Sequence, residues 1–202
     1  MNTKLACSLL VLFFMVLSTP AAFAEMSDWL GEPPGQFLVE STQGWGSLGL
    51  DVATVPPDGR TPSPLRIGET VYEHGFGHHA PGELVFDLSR DEFTAFTAEA
   101  GVQWQGGGRG SVVFQVFVDG NLLFDSGVMS DSDAPKSLNV PLTGARELRL
   151  VSGDGGDGIS CDMANWVNAQ LIHNPNAPRF EEPSLILGGE AAPAPSAAVC
   201  GF

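Results

Sequence analysis

Gly108-Arg109-Gly110-Ser111-Val112-Val113-Phe114-Gln115-Val116-Phe117-Val118-Asp119-Gly120-Asn121-Leu122-Leu123-Phe124-Asp125-Ser126-Gly127-Val128-Met129 is the stretch that decides the fold class. Side chains of an extended chain alternate between faces, so Val112, Phe114, Val116 and Val118 share one face. Asp119-Gly120 has the backbone freedom of a tight hairpin turn, and Leu122 and Phe124 open a return strand. A helix is excluded because the run is β-branched and ends in Asp-Gly without caps. Apolar residues fill both faces except at Gln115, which predicts a hairpin near the middle of a sheet.

The same period extends outward. Leu84, Phe86 and Leu88 alternate in one short run, and Phe96, Ala98 and Ala100 alternate within Phe93 to Val102. Leu138 to Leu142, Glu147 to Val151 and Trp166 to Ile172 read as further strands, with Leu148 and Leu150 inward. Leu65 to Ile67 and Val71 to Glu73 flank a turn at Gly68. Between these runs lie glycine-rich stretches read as loops: Gly75 to Gly82 with its histidines, Gln103 to Gly110, and Ser152 to Asn165. Short strands at regular spacing without a helical period predict an all-β, single-domain β-sandwich.

The ends carry a different signal. Lys4, the apolar run Leu9 to Leu17 and Ala22-Phe23-Ala24 read as a signal peptide cleaved after residue 24, and the run is short for a membrane span. The domain is then expected over 25–173, with a Pro/Ala-rich tail over 174–202. Cleavage would leave 202 − 24 = 178 residues, enough for one real core. It would also remove Lys4 and shift the formal charge from −15 to −16. Such acidity argues against nucleic acid or an anionic membrane surface as partner, and no membrane insertion is expected. It is compatible with neutral sugars and calcium. Cys7 would leave with the signal, so Cys161 and Cys200 either pair in an oxidising compartment or remain thiols.

Taken together, several spaced motifs resemble the NPCBM domain, grouped as carbohydrate-binding module family 51. They are Gly44-Trp45-Gly46, Gly75-Phe76-Gly77-His78-His79-Ala80, Glu83 to Leu88, Gly108 to Val116 and Asp119-Gly120. The resemblance continues through Asp125 to Met129, Glu147 to Leu150 and Asp154 to Gly158, then Asp162 and Trp166. It implies a jelly-roll-like β-sandwich, non-catalytic binding of galactose-type sugars, and often a structural calcium ion. It also implies a companion glycosidase, which is expected here as a separate partner. Three positions depart from the family pattern. Gln103 and Asn165 stand where acids are usual, and Cys161 where an aromatic is frequent.

Candidate sites follow from the chemistry of each loop. Trp104 is expected to stack on an apolar sugar face, with His79 and Arg109 donating to hydroxyls and Asp162 or Asn165 accepting. Trp45 and Trp166 are alternative flat faces, with Trp166 more in keeping with packing. Asp154 and Asp157 sit in an oxygen-rich loop suited to a hard cation, or cap its turns, and the loop around Asp51 is a second cation candidate. His74, His78 and His79 suggest zinc only weakly, because no fourth ligand stands at a familiar spacing. No pair of carboxylates is singled out for glycosidase chemistry, so the chain is not expected to be an enzyme. Two function classes remain: a secreted carbohydrate-binding module, or a structural or protein-interaction sandwich that has lost sugar recognition.

Overall fold

The computed structural model describes residues 27–31 and 36–177. The expected signal peptide and most of the expected tail, from 178 onward, lie outside the described residues, as does Cys200. Every helix or strand among the described residues is a strand. One sheet holds β1 (Ser27–Trp29), β3 (Gly49–Leu50), β6 (Gly75–His79), β8 (Phe93–Val102), β11 (Lys136–Pro141) and β13 (Met163–His173). Its order is β11-β8-β13-β6-β3, with β1 also pairing β13. The second sheet holds β2 (Leu38–Thr42), β7 (Gly82–Asp87), β9 (Val112–Val118), β10 (Asn121–Met129) and β12 (Glu147–Gly153), in the order β10-β9-β12-β7-β2. All pairings are antiparallel.

The core lies between the sheets, where the alternating side chains meet. Phe86, Phe96, Phe114, Val116, Leu148 and Leu150 are all fully buried in one cluster, as the alternation predicts. Phe114 of β9 meets Trp166 of β13 edge-on at 5.1 Å, and Phe76 of β6 tilts against Phe86 of β7 at 5.8 Å. These aromatic pairs bridge the two layers, adding geometric preference to burial. A ribbon of β4 (Leu65–Ile67) and β5 (Thr70–Tyr72) covers part of the outer face of the first sheet, where Leu65 and Ile67 pack on Val167.

Two expectations need correction. Gly75 to His79 is a strand, not a loop, and all five residues are buried in the interior of the first sheet. Its glycines are required by close approach: a Cβ on Gly77 would stand 2.3 Å from the Ala53 backbone, and one on Gly75 would stand 2.4 Å from the Trp166 carbonyl. The hairpin is also displaced from the middle of its sheet. β9 is interior, but β10 is the edge strand, with Leu122 48% and Val128 62% exposed. Register shifts at Leu122/Phe124 and Asp125/Val128 break the β10 ladder, a feature that blunts sheet edges. The turn itself follows expectation, since Asp119 and Gly120 both adopt positive φ, 48° and 78°.

Candidate functional site

A hollow of about 310 Å³ opens at the end of the sandwich where β6 finishes and β13 begins. His79 closes β6 opposite Met163 of β13, and both line the hollow with Trp45. The Trp45 loop is tied down by the Gly44 N–H, which donates to the His79 carbonyl at 3.1 Å. Gly44 must be glycine there, because a Cβ would approach the Ala80 carbonyl oxygen to 2.5 Å. The Trp45 ring, 36% exposed, stands 5.6 Å from the His79 ring at 53°.

His79 Nδ1 is 2.7 Å from the Ala80 carbonyl oxygen. A carbonyl only accepts, so Nδ1 carries the proton in this contact, which in the neutral tautomer leaves Nε2 as an acceptor. The far wall is formed by Ile159, Ser160 and Cys161, and Gln105 Nε2 clamps it by donating to the Cys161 carbonyl at 2.6 Å. Cys161 is exposed with φ 69°, and Cys200, with which it would pair in an oxidising compartment, lies outside the described residues.

The loop carrying Gln105 and Arg109 is organised by a buried carboxylate. Asp131 accepts from the backbone N–H groups of Gln105 at 2.9 Å, Gly107 at 3.1 Å and Arg109 at 2.8 Å. Burial opposes ionisation of Asp131, but those donors together outweigh it and hold its carboxyl below the ordinary value.

Asp162 behaves oppositely. It is fully buried, and its Oδ1 accepts from the Ser111 N–H at 2.9 Å while Oδ2 has no partner. Burial raises its pKa, and Asp157 and Asp154 push the same way against the Ser111 N–H and His79. The Ser111 hydroxyl links this loop together, bonding the Asp157 carboxylate and lying 3.0 Å from the Asp154 carbonyl.

Only His79 of the five sugar-site candidates lines the hollow. Trp104 is half-buried beneath the Arg66 guanidinium, 5.5 Å from its ring centroid. Arg109 is exposed on the neighbouring loop. Asn165 is fully buried and donates to Gln103 Oε1 at 2.6 Å. Gln103 also accepts from Arg66 N at 3.0 Å and donates to the Pro64 carbonyl at 3.1 Å, so its amide stitches β4 to the sheet. A carboxylate at 103 would lack the donor for Pro64. The departures at 103 and 165 are therefore one matched interior pair.

The three histidines are spread apart. His78 is held by Thr42 and Ser152, His74 stacks on Trp29 at 4.6 Å, and only His79 faces the hollow. Among the described residues no three metal-binding side chains converge. Sequence reasoning missed Gln105, Ile159 and Met163 as lining, and ranked Trp45 below Trp104. No local pattern in the sequence separates the two rings.

A family model described as the NPCBM/NEW2 domain matches residues 33–172. A Renibacterium salmoninarum protein described as "Putative endo-alpha-N-acetylgalactosaminidase" is 30% identical over 168 residues, 83% of this chain and 10% of that protein. The Alpha-1,3-galactosidase B of Akkermansia muciniphila is 32% identical over 107 residues, 52% of this chain and 13% of that protein. The chain thus spans about a tenth of the length of these relatives. A family 51 carbohydrate-binding module from a Clostridium perfringens family 95 glycoside hydrolase, solved with methyl-galactose, is similar at 31% identity and a TM-score of 0.64. That match covers 72% of this chain and 99% of the module. A second Clostridium perfringens module, solved with GlcNAc, shares the fold at 23% identity and a TM-score of 0.65, covering 73% of this chain and 32% of its own.

Proposed function

The chain belongs to the NPCBM/NEW2 domain family of non-catalytic carbohydrate-binding modules, and from that premise we propose that it is secreted and recognises terminal galactose-type sugars in the Trp45–His79 hollow. The observation carrying this reading is the hollow itself: an exposed indole face beside a histidine acceptor, in a chain 31% identical to a module solved with methyl-galactose. Trp45 packs against the apolar face of the sugar, and His79 Nε2 accepts from a hydroxyl. Secretion rests on the signal-peptide pattern ending at Ala24. Delivery of a glycosidase to its substrate is the matching role.

Calcium is part of the same proposal. The unpartnered Asp162 Oδ2, with Asp157 and the Asp154 carbonyl near Ser111, supplies oxygen chemistry suited to a hard cation. Two side chains, Asp157 and Asp162, would hold the ion with the Asp154 carbonyl, and it would stiffen the loop behind the hollow. Melting with calcium and with chelator tests this part, because a ligand of the folded state raises its stability.

Sugar binding is tested on a glycan array, followed by titration with methyl-galactose, for the wild type and Trp45→Ala. The expected result is binding to galactose-type termini, lost in the variant at unchanged melting temperature. Full affinity in Trp45→Ala would move the site elsewhere. No binding to any glycan would favour the structural or protein-interaction role.

A further inference from the structure

We propose that the outer face of the first sheet carries a second carbohydrate-binding site, built on Trp29, Thr97, Glu99, Asn168 and Gln170, for an internal stretch of a neutral glycan chain. A groove of about 330 Å³ lies here. Gln170 is seven residues along β13 from Met163, about 23 Å at a strand's rise, so the groove is distinct from the hollow.

The strand register sets side chains in a row across four neighbours. Trp29 pairs with Gln170, Gln170 with Thr97, and Thr97 with Asn139. At about 4.8 Å per strand this row spans roughly 14 Å, more than one sugar ring needs. The row reads indole, amide, hydroxyl, amide: one flat apolar wall followed by neutral donors and acceptors. Trp29 is held by stacking on His74, with ring centroids at 4.6 Å and planes at 28°.

The floor is pre-arranged. The β13 ladder is interrupted between Val167 and Gln170, where Asn168 takes φ 51° in the left-handed region and its N–H donates to the His74 carbonyl at 3.0 Å. Bulges re-aim side chains, and left-handed residues other than glycine cost energy that the surroundings must offset. Here Asn168 Nδ2 reaches Glu99 Oε1 at 3.1 Å. The Tyr72 hydroxyl donates to Glu99 Oε2, also at 3.1 Å, and burial followed by the Glu99 charge pushes its pKa up to about 12, so it remains a donor.

Glu99 is the only charged residue lining the groove, and both its oxygens are engaged. The groove therefore offers nothing to an anion and no unengaged carboxylate to a cation. What remains is an aromatic wall with amides and hydroxyls, the chemistry that recognises a neutral ring with a C–H face and hydroxyl rim. Its place on a sheet rather than in a loop cup suits a chain passing across. The ligand class rests on the carbohydrate-binding reading above, but the residues are separate from it.

The test is a titration of ¹⁵N-labelled protein with lacto-N-neotetraose and, separately, with methyl-galactose. The indole signal of Trp29 and the side-chain amide signals of Asn168 and Gln170 report the groove, and the indole signal of Trp45 reports the hollow. We expect the tetrasaccharide to move both sets, with separate affinities. Asn168→Gly, which keeps the left-handed backbone, and Gln170→Ala should each weaken the groove set about five- to tenfold and leave the Trp45 response unchanged. Groove signals that stay still while the hollow saturates overturn the proposal and leave the hollow standing. Movement of the groove set alone supports the proposal and removes the hollow assignment. No movement in either set overturns both.

Discussion

Lowering the pH from 7 to 4.5 should cost this fold about 2 kcal/mol through His78 alone. His78 is fully buried in β6, and its pKa is lowered from 6.5 to about 4, chiefly by burial, with His79 adding to the shift and the Thr42 carbonyl opposing it. Nε2 donates to the Thr42 carbonyl at 2.6 Å, which leaves Nδ1 to accept from the Ser152 hydroxyl at 3.2 Å. That hydroxyl in turn accepts from Trp166 Nε1 at 3.3 Å, so the neutral ring completes a buried chain.

The unfolded chain binds the proton first, so the stability His78 contributes is full above 6.5 and is lost as pH falls toward 4. The whole gap is worth about 3 kcal/mol at ~1.36 kcal/mol per pH unit, and about 2 of that is gone by pH 4.5. Asp131, Asp87 and Asp125 have lowered values, so their contributions are lost only below the ordinary 3.8. Asp162 is raised and works in the opposite sense, gaining stability on acidification. Urea melts at pH 7, 6, 5 and 4.5 on the wild type and His78→Gln measure the effect. The variant should be less stable at pH 7 yet lose less on acidification. An equal loss in both proteins would refute the assignment.

Three further outcomes are expected. Phe114→Ala removes the ring that meets Trp166 across the core and should cost about 3–5 kcal/mol, read by denaturant melting at constant m-value. Gly77→Ala forces a Cβ to 2.3 Å from the Ala53 backbone, and should cost at least the ~1–3 kcal/mol typical of overpacking in the same assay. Asp131→Ala strips the acceptor from three backbone N–H groups; amide hydrogen exchange should accelerate at Gln105, Gly107 and Arg109 while core strands keep their protection.

The β-sandwich itself was legible in the sequence because burial on one face of a strand imposes period two on the chain. Val112, Phe114, Val116 and Val118 point inward because no other placement removes all four from water, and Asp119-Gly120 turns where positive φ is tolerated. Family membership was legible for a related reason, since spaced motifs record positions where backbone geometry leaves little choice. Composition misled where glycine serves packing rather than turning. Gly75 and Gly77 look like loop residues, and only the approach of Trp166 and Ala53 makes them the centre of a sheet. Which indole stays open was decided in the same way. Trp45 and Trp104 both sit among glycines and polar residues, and no local pattern separates them. The tertiary fold lays Arg66 over Trp104 and leaves Trp45 open beside His79. It also joins Gln103 to Asn165, 62 positions apart, in one buried pair. Periodicity is a property of neighbours along the chain, whereas a site is made by residues that meet only once the sheets close.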